Sequence, residues 1–561
     1  MQKKIDFLKE MVITMKLATA GQMRDVDNHV IENLGVSGAE LMSKAAEHLA
    51  RAAMEHVPPK GYVAVFCGTG NNGGDGIGAA AYLIQNGVSV RTIIVGNPED
   101  LTPDSQKMAE RLVSRGGSLE RFLPSSDIVD FVSHCAVVID AVYGIGLNSE
   151  LRDNALSAVS IINSSGAFVI SADIATGVHA DTGAILGDAV RASLTITFSL
   201  AKPGHFVEPG CICCGELRVC DIGIPPALLS GIVSHMYAAM SSDIFLPKRR
   251  RNTHKGDYGR ALVIAGSVGF SGAPALSARA ATKTGAGLVS LGVPKSIYDI
   301  MAVKLNEEMP FPLPENGKGQ LVANATGEIL RRVKDSDVCL LGPGLGLSDE
   351  IPELVQSIIR MSETPVVLDA DGLNAIAGNV EALGQATCPL ILTPHPGEFA
   401  RLCGSAAYAA VSGGEVTGSG AAVDVTTSGA AATGGAGADI PDSSAAAPAD
   451  RIRAACDFAS KYGCILVLKG HRTIMALPNG IAYVNTTGGP AMAKGGSGDV
   501  LAGMITALIA QKLPIVHAVV AAVYIHGLAG DMCADEYGEY SVTASDIIDM
   551  LPRAIKEIET I

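Results

Sequence analysis

The sequence predicts an α/β protein made of two doubly wound domains. Three observations carry that expectation: short β-rich runs alternate with longer Ala-rich helical stretches, the alternation breaks and restarts around a Pro-rich segment, and 561 residues exceed what one core usually spans. The absence of Trp, an aromatic content of 4% and 64 Gly favour tight turns between small-residue helices and strands over a sandwich.

From Tyr62 the runs Tyr62 to Cys67, Val88 to Val95, Ala136 to Ala141, Ala167 to Ala172 and Leu194 to Phe198 read as strands, each followed by a helical stretch, which implies a parallel sheet. A second series reads Ala261 to Ala265, Leu288 to Val293, Val338 to Leu341, Val366 to Leu368, Leu390 to Leu392 and Cys464 to Leu468. Between them Ile224 to His254 carries Pro225, Pro226, Pro247 and the basic run Lys248 to Arg251, a composition typical of an inter-domain connection. The boundary is placed near Met240, giving domains 1–240 and 241–561. Ser405 to Asp450 is almost wholly Ala, Gly, Ser, Thr and Val, cannot build a core, and is expected to be a flexible insertion in the second domain.

A formal charge of −15, from 42 basic and 57 acidic side chains, repels phosphate backbones and anionic lipid, so neither nucleic acid nor membrane is an expected partner. Asp6, Lys9 and Glu10 interrupt the apolar residues of Met1 to Met15, so no export is expected. The uncharged stretch Leu513 to Gly530 contains Pro514, His517 and His526 and reads as a helix packed on a sheet. Twelve Cys without an export signal suggest reduced thiols and a cytoplasmic protein. Cys211, Cys213, Cys214 and Cys220 lack the paired C-x-x-C spacing of a zinc site and read as buried thiols. The basic run reads as a solvated linker rather than an anion-binding patch.

The strand Tyr62 to Cys67 runs into GTGNNGGDG, Gly68 to Gly76, and then a helix. Such a turn lets the backbone approach a ligand and aims helix N–H groups at an anion. Gly68, Gly70 and Gly73 also satisfy G-x-G-x-x-G, the dehydrogenase pattern, but the acidic residue that should end the second strand is missing. Asn71, Asn72 and Asp75 add polar groups able to hold a ligand or cation. DAVYGIGLNSE, Asp140 to Glu150, and SADIATG, Ser171 to Gly177, each put a carboxylate just after an apolar strand, at the sheet edge where open α/β folds bind ligands. Taken singly, Asp140 or Asp173 could be a turn former. With these three motifs in order, the first domain resembles the NAD(P)H-hydrate epimerase family, whose fold is a Rossmann-like three-layer sandwich. The resemblance implies substrate contacts at Asn71, Asn72, Gly73, Gly74 and Asp75 and at Gly144, Ile145, Gly146, Leu147, Asn148, Ser149 and Glu150. It implies Asp173 at the reacting carbon and a potassium ion held by Asn72, Asp140 and Thr176. Inverting a carbon that bears both nitrogen and hydroxyl needs proton transfers, for which Asp173 is the expected group.

Near the C-terminus NTTGGPAMAKGGSGDVLAGMITALIAQ, Asn485 to Gln511, joins a glycine-rich loop to a helix expected from about Asp499. A G-x-G-D loop cradles a transferring phosphoryl group on backbone amides, and its Asp accepts the proton of the attacking hydroxyl. LLGPGLG (Leu340 to Gly346), VVLDADGLNAI (Val366 to Ile376), TPHPGEFARL (Thr393 to Leu402) and VLKGHRTIM (Val467 to Met475) follow other apolar strands. This set resembles the ADP- or ATP-dependent NAD(P)H-hydrate dehydratases, relatives of ribokinase-like small-molecule kinases. It implies that Ala273, Gly346, His395 and Asp499 touch the hydrated dinucleotide, and that Lys469, Gly470, His471, Arg472, Thr473 and Gly498 hold the nucleotide, with Mg²⁺ accompanying ADP. The insertion Ser405 to Asp450 departs from the family's usual connection.

Two functions fit. In one the chain is a homo-oligomeric repair enzyme that epimerises NAD(P)H hydrate and dehydrates the S form at the expense of ADP, the fused arrangement resembling bacterial enzymes that use ADP. In the other, the C-terminal half is a ribokinase-type small-molecule kinase and the N-terminal half a non-catalytic dinucleotide-binding module.

Overall fold

The computed structural model describes residues 15–404 and 448–560. The insertion expected at 405–450 therefore lies, except for the start of the helix Pro448–Tyr462, outside the described residues.

The first domain holds a seven-stranded sheet in the order Leu119–Arg121, Ser89–Ile94, Tyr62–Cys67, Val137–Ala141, Phe168–Ala172, Leu194–Phe198 and Glu216–Cys220, all parallel. The inner strands are buried on both faces because helices cover both faces, which is why they read as mostly apolar runs. Between Tyr62–Cys67 and Val137–Ala141 the chain reverses its direction of travel across the sheet. Connections leave this switch point on opposite faces and open a crevice beyond the strand ends, and the loops after Cys67 and Ala141 flank it.

Small residues bring the helix Asn71–Gln85 down onto this sheet. A Cβ on Gly76 would lie 2.5 Å from the Ala141 Cβ, and one on Gly78 would lie 2.7 Å from the Ala46 Cβ of the neighbouring helix Gly38–His56. These glycines serve packing as much as ligand approach.

The second sheet has eleven strands among the described residues. Its parallel part runs Ile465–Leu468, Leu390–Leu392, Val366–Leu368, Val338–Leu341, Arg260–Ile264, Leu288–Pro294 and Met309–Leu313. Its switch point falls between Arg260–Ile264 and Val338–Leu341. The helix Ser497–Ala510 packs against the helix Gly272–Lys283 so closely that a Cβ on Gly503 would sit 2.2 Å from the Ser277 carbonyl oxygen. Helix Ile515–Tyr537 is long and apolar enough to cross a membrane by length and composition, yet most of its side chains belong to the core of this domain.

Beyond Ile465–Leu468 the sheet turns antiparallel through Ile474–Ala476 and Ala482–Asn485. Met236–Ala239 then pairs parallel with Ala482–Asn485, and Met15–Lys16 closes the edge. The segment expected to be a plain connection thus contributes a strand with Ala238 and Ala239 fully buried. Met240 follows directly on it, so the second sheet recruits residues on the N-terminal side of the expected boundary. The basic run Lys248 to Arg251 is exposed, and Arg249 stacks on Tyr258 at 3.9 Å and donates to the Gly285 carbonyl at 2.6 Å.

Candidate active sites

The crevice of the first sheet opens as a cavity of about 570 Å³ lined by Thr69 to Asn72, Asp75, Val142 to Leu147, Asp173 and Lys202, with Met23, Arg24, Asp27 and Ile31 of the helix Ala20–Leu34 across from them. Helix Asn71–Gln85 begins here without a side-chain cap, which leaves its first N–H groups available to an anion.

Asp173 follows the strand Phe168–Ala172 in a left-handed conformation, φ 64°, which Asp tolerates better than most residues. Its Oδ1 accepts from Lys202 Nζ at 2.5 Å and from Thr197 Oγ1 at 2.9 Å, and Lys202 Nζ also donates to Thr197 Oγ1 at 2.8 Å. His205 Nε2 donates to the Asp173 carbonyl at 2.8 Å while its Nδ1 accepts from the Lys202 amide at 3.0 Å, a pattern that requires the neutral ring. Burial and the nearby Lys202 cation bring that imidazole down to about 4.

Burial alone would raise Asp173, but Lys202, in charge and hydrogen bond, outweighs it and holds the carboxyl below its ordinary value. Asp75 goes the other way: burial, then the charges of Asp173 and Asp27, push it well up. Asp27 is raised to about 6 by burial, with Lys202 opposing and Asp173 adding. One cavity therefore holds a carboxyl set below its ordinary value beside two that are set above it.

Beneath it Asp140 is fully buried. Thr176 Oγ1 donates to its Oδ1 at 2.6 Å, and Ser171 Oγ and the Thr176 amide donate to its Oδ2 at 2.8 and 2.9 Å. Burial still raises its pKa. With its side-chain amide assigned from the surrounding donors and acceptors, Asn72 donates to the Ala172 carbonyl at 3.1 Å and accepts from the Gly144 amide at 3.2 Å. Tyr143, next to Gly144, donates its N–H to Thr176 Oγ1 at 2.9 Å. No basic side chain is bonded to Asp140, and the Asn72, Asp140 and Thr176 side chains carry the hard oxygen donors that a monovalent cation takes. Among the described residues no group of three or more His, Cys, Asp or Glu could hold a metal. The Cys211, Cys213 and Cys214 thiols are buried and raised by that burial.

Of the expected contacts, Asn71, Asn72, Asp75, Gly144, Ile145, Gly146, Leu147 and Asp173 line the cavity. Gly73 and Gly74 face inward: a Cβ on Gly73 would meet the Gly68 carbonyl at 1.8 Å and one on Gly74 the Met42 sulfur at 2.5 Å. Asn148, Ser149 and Glu150 are exposed and do not line it. Lys202, His205, Thr197 and Asp27 escaped the sequence reading. Lys202 had one usable signal, a lysine shortly after the strand Leu194–Phe198, separated from it by Ser199, Leu200 and Ala201, in a stretch otherwise without Lys, Arg, Asp or Glu.

In the second domain a cavity of about 610 Å³ is lined by His395, Lys469, Gly470, His471, Thr473, Ser497 and Gly498, with Asn485, Thr487 and His526. The helix starts at Ser497, two residues before the expected point, so Asp499 sits in its first turn. Gly496 before it has φ 94°, a value that favours glycine. Lys469 Nζ donates to Asp369 Oδ1 at 2.8 Å and lies 4.0 Å from Glu398 Oε2, and a Cβ on Gly498 would approach it to 3.1 Å. The ammonium thus hangs over the glycine loop. Burial works against its charge, but Asp369 and Glu398 keep its pKa above the ordinary lysine value.

Asp499 is raised to about 7 by burial and by Asp369, with Lys469 opposing. That is the range in which a general base works best. His395 caps the helix Pro396–Cys403, its Nδ1 accepting from the Gly397 amide at 3.0 Å, and burial lowers its pKa. His526 Nε2 lies 3.4 Å from Ser497 Oγ, and burial brings it down to about 4.

Ala273 and Gly346 stand at the switch point, where Gly346 donates its amide to Asp371 Oδ2 at 2.9 Å. Asp371 belongs to the strained turn Asp369-Ala370-Asp371, with Ala370 at φ 50°, ψ −118°. Arg472 turns away from the cavity to donate to the Thr486 carbonyl at 3.0 Å. His471 Nδ1 meets Glu208 Oε1 of the first domain at 2.7 Å.

A switch-point cavity built around a carboxylate and a buried lysine, and a second cavity beside the glycine loop that leads into the helix of the raised Asp499, describe an α/β enzyme with two separate candidate sites. Residues 261–553 match the family model for NAD(P)H-hydrate dehydratase, and residues 38–204 match that for the YjeF-related protein N-terminus. Proteins named bifunctional NAD(P)H-hydrate repair enzyme are 37% identical in Thermofilum pendens and 35% identical in Moorella thermoacetica, each over 97% of both chains. The chain belongs to this family of fused NAD(P)H-hydrate repair enzymes. A solved ADP/ATP-dependent NAD(P)H-hydrate dehydratase from Bacillus subtilis is 28% identical, covering 56% of this chain and 94% of its own, with a TM-score of 0.41.

Proposed function

We propose that the first cavity interconverts the R and S forms of NAD(P)H hydrate through Asp173, and that the second dehydrates the S form with ADP as phosphoryl donor and Asp499 as base. The observation that carries this reading is the opposite setting of the two carboxyls. Lys202 pins Asp173 ionised, while Asp499 is raised to about 7 beside the anion-binding start of a helix.

In the first cavity Asp173 takes the proton of the substrate hydroxyl. Lys202 keeps the carboxylate in position, and His205 holds its main chain. Potassium held by Asn72, Asp140 and Thr176 would neutralise the buried Asp140 charge and tie the loop after Ala141 to the one after Ala172.

At the second site Asp499, in the first turn of helix Ser497–Ala510 whose start borders the cavity, removes the proton of the ring hydroxyl as its oxygen attacks the terminal phosphorus of ADP, releasing AMP. The N–H groups at the start of helix Ser497–Ala510, together with Lys469, receive the phosphoryl charge. Mg²⁺ accompanying ADP would screen its phosphates. The ring-nitrogen lone pair then expels phosphate, and loss of the neighbouring carbon's proton restores the dihydropyridine.

Ala273, Gly346 and His395 flank the dinucleotide in this scheme, and Lys469, Gly470, His471, Thr473 and Gly498 the nucleotide; Arg472 supports its loop from behind. Cysteines without disulfides among the described residues suit a reducing compartment such as the cytoplasm. Product analysis tests the reading: dehydration releases free phosphate and AMP in step with NADH, whereas a small-molecule kinase leaves a stable phosphorylated product.

A further inference from the structure

Asp27 lies outside the matched family segment, on the helix Ala20–Leu34. That helix is fastened at its start by a Thr19–Gln22 capping box and by the Ala20 amide, which donates to Asp181 Oδ1 at 2.6 Å. Met23, Arg24, Asp27 and Ile31 are spaced to share one helical face, and all four line the epimerase cavity. Asp27 Oδ1 is buried and has no hydrogen-bond partner among the described residues. An orphaned buried carboxyl oxygen is costly, and its retention in a cavity wall points to a partner that arrives with the substrate.

Epimerising a carbon that carries both hydroxyl and ring nitrogen requires two groups. A base withdraws the hydroxyl proton as the carbon–nitrogen bond opens, and an acid protonates the nitrogen that receives the electron pair. Asp173, held by Lys202, supplies only the first.

We propose that Asp27 is the second acid–base group of the epimerase, donating its proton to the substrate nitrogen as the ring opens. Asp173 takes the hydroxyl proton, the oxygen forms a carbonyl, and the carbon–nitrogen pair moves to nitrogen, which Asp27 protonates. After rotation the nitrogen adds to the other face of the carbonyl. Asp27 then recovers its proton and Asp173 returns one to oxygen, so neither redox partner nor net proton is consumed.

The charged groups around Asp27 in the cavity wall are Arg24, Asp75, Asp104, Asp173 and Lys202. Burial, opposed by Lys202 and aided by Asp173, leaves Asp27 at about 6, close enough to neutrality for a proton to leave and return. The assignment rests on the reading of this cavity as the epimerase site.

The test uses the full chain, following interconversion of R and S NADH hydrate by chromatography after subtraction of the enzyme-free rate. Asp27→Asn is expected to lower kcat by roughly 100-fold or more with little change in KM. It should also remove the fall in kcat/KM that the wild type shows as pH rises through about 6. Asp27→Glu should restore part of the rate, and dehydration of the S form, measured in the same preparations, should hold at wild-type level and report correct folding. Wild-type kcat in Asp27→Asn, or a pH limb that survives the substitution, overturns the assignment. If Asp173→Asn also epimerises normally, the reading of the cavity itself has failed; if only Asp27→Asn does, the failure belongs to Asp27 alone.

Discussion

Lys202 Nζ sits 2.5 Å from Asp173 Oδ1, with both side chains withdrawn from solvent between the strand Leu194–Phe198 and the loop after Ala172. The pair shapes the electrostatics of the first cavity: Lys202 holds Asp173 below its ordinary value, while burial and the Asp173 charge raise the neighbouring Asp27 and Asp75. Breaking a buried pair by removing one partner costs about 3–5 kcal/mol, because the survivor is stranded without its counter-charge. Lys202→Met should therefore lower the melting temperature of the first domain and cut epimerisation by at least about 100-fold. Lys202→Arg should retain more stability than activity. Thermal melts with separate assays of the two reactions check both, and dehydration should be spared.

The Asp173 linkage has a definite sign. Its folded-state pKa is depressed below the ordinary carboxylate value, so the stability it contributes is complete above about 4 and is lost as pH falls through the lower folded value. Wild-type stability should fall across that acid window, and Asp173→Asn should fall less. Denaturant titrations between mildly acidic and strongly acidic pH measure the difference.

Asp499 shows the opposite linkage. Its folded pKa of about 7 exceeds the unfolded value, so ionising it in place penalises the fold progressively from about pH 4 to pH 7 and fully above that. Asp499→Asn should abolish dehydration and leave epimerisation intact. It should also stabilise the second domain, by on the order of 1–3 kcal/mol at pH 8 and by less at pH 5. Calorimetry at the two pH values tests this.

Gly498→Ala would place a Cβ 3.1 Å from Lys469 Nζ, displacing the ammonium from above the loop. KM for ADP should rise about tenfold or more while melting changes little, since Lys469 can swing toward the cavity. Gly73→Ala has no such freedom, because its Cβ would strike the Gly68 carbonyl at 1.8 Å. A destabilisation of roughly 1–3 kcal/mol or more is expected from chemical denaturation.

The strands buried on both faces were legible because they are short, mostly apolar runs bounded by turn residues, and so were the loops that follow them. Seven of the described strands escaped the sequence reading, and four of them hid for identifiable reasons. Leu119–Arg121 is short and polar, Glu216–Cys220 is half charged or exposed, and Met309–Leu313 carries two Pro tolerated only at an edge. Met236–Ala239 lay inside a Pro-rich connection, and its pairing is with a strand more than 240 residues away. The motifs likewise located Asp140, Asp173 and Asp499 but could not supply Lys202 or Asp27. Each of these is a single residue in an unremarkable stretch, and only the fold brings it to the cavity.

The most direct test supplies the full chain with a mixture of R and S NADH hydrate, ADP, Mg²⁺ and potassium, and follows NADH absorbance together with phosphate. Both epimers should convert completely, with one phosphate and one AMP per NADH, and Asp173→Asn should stall once the S form is spent. A stable phosphorylated dinucleotide, or wild-type conversion that stops with the R form untouched, would contradict the account.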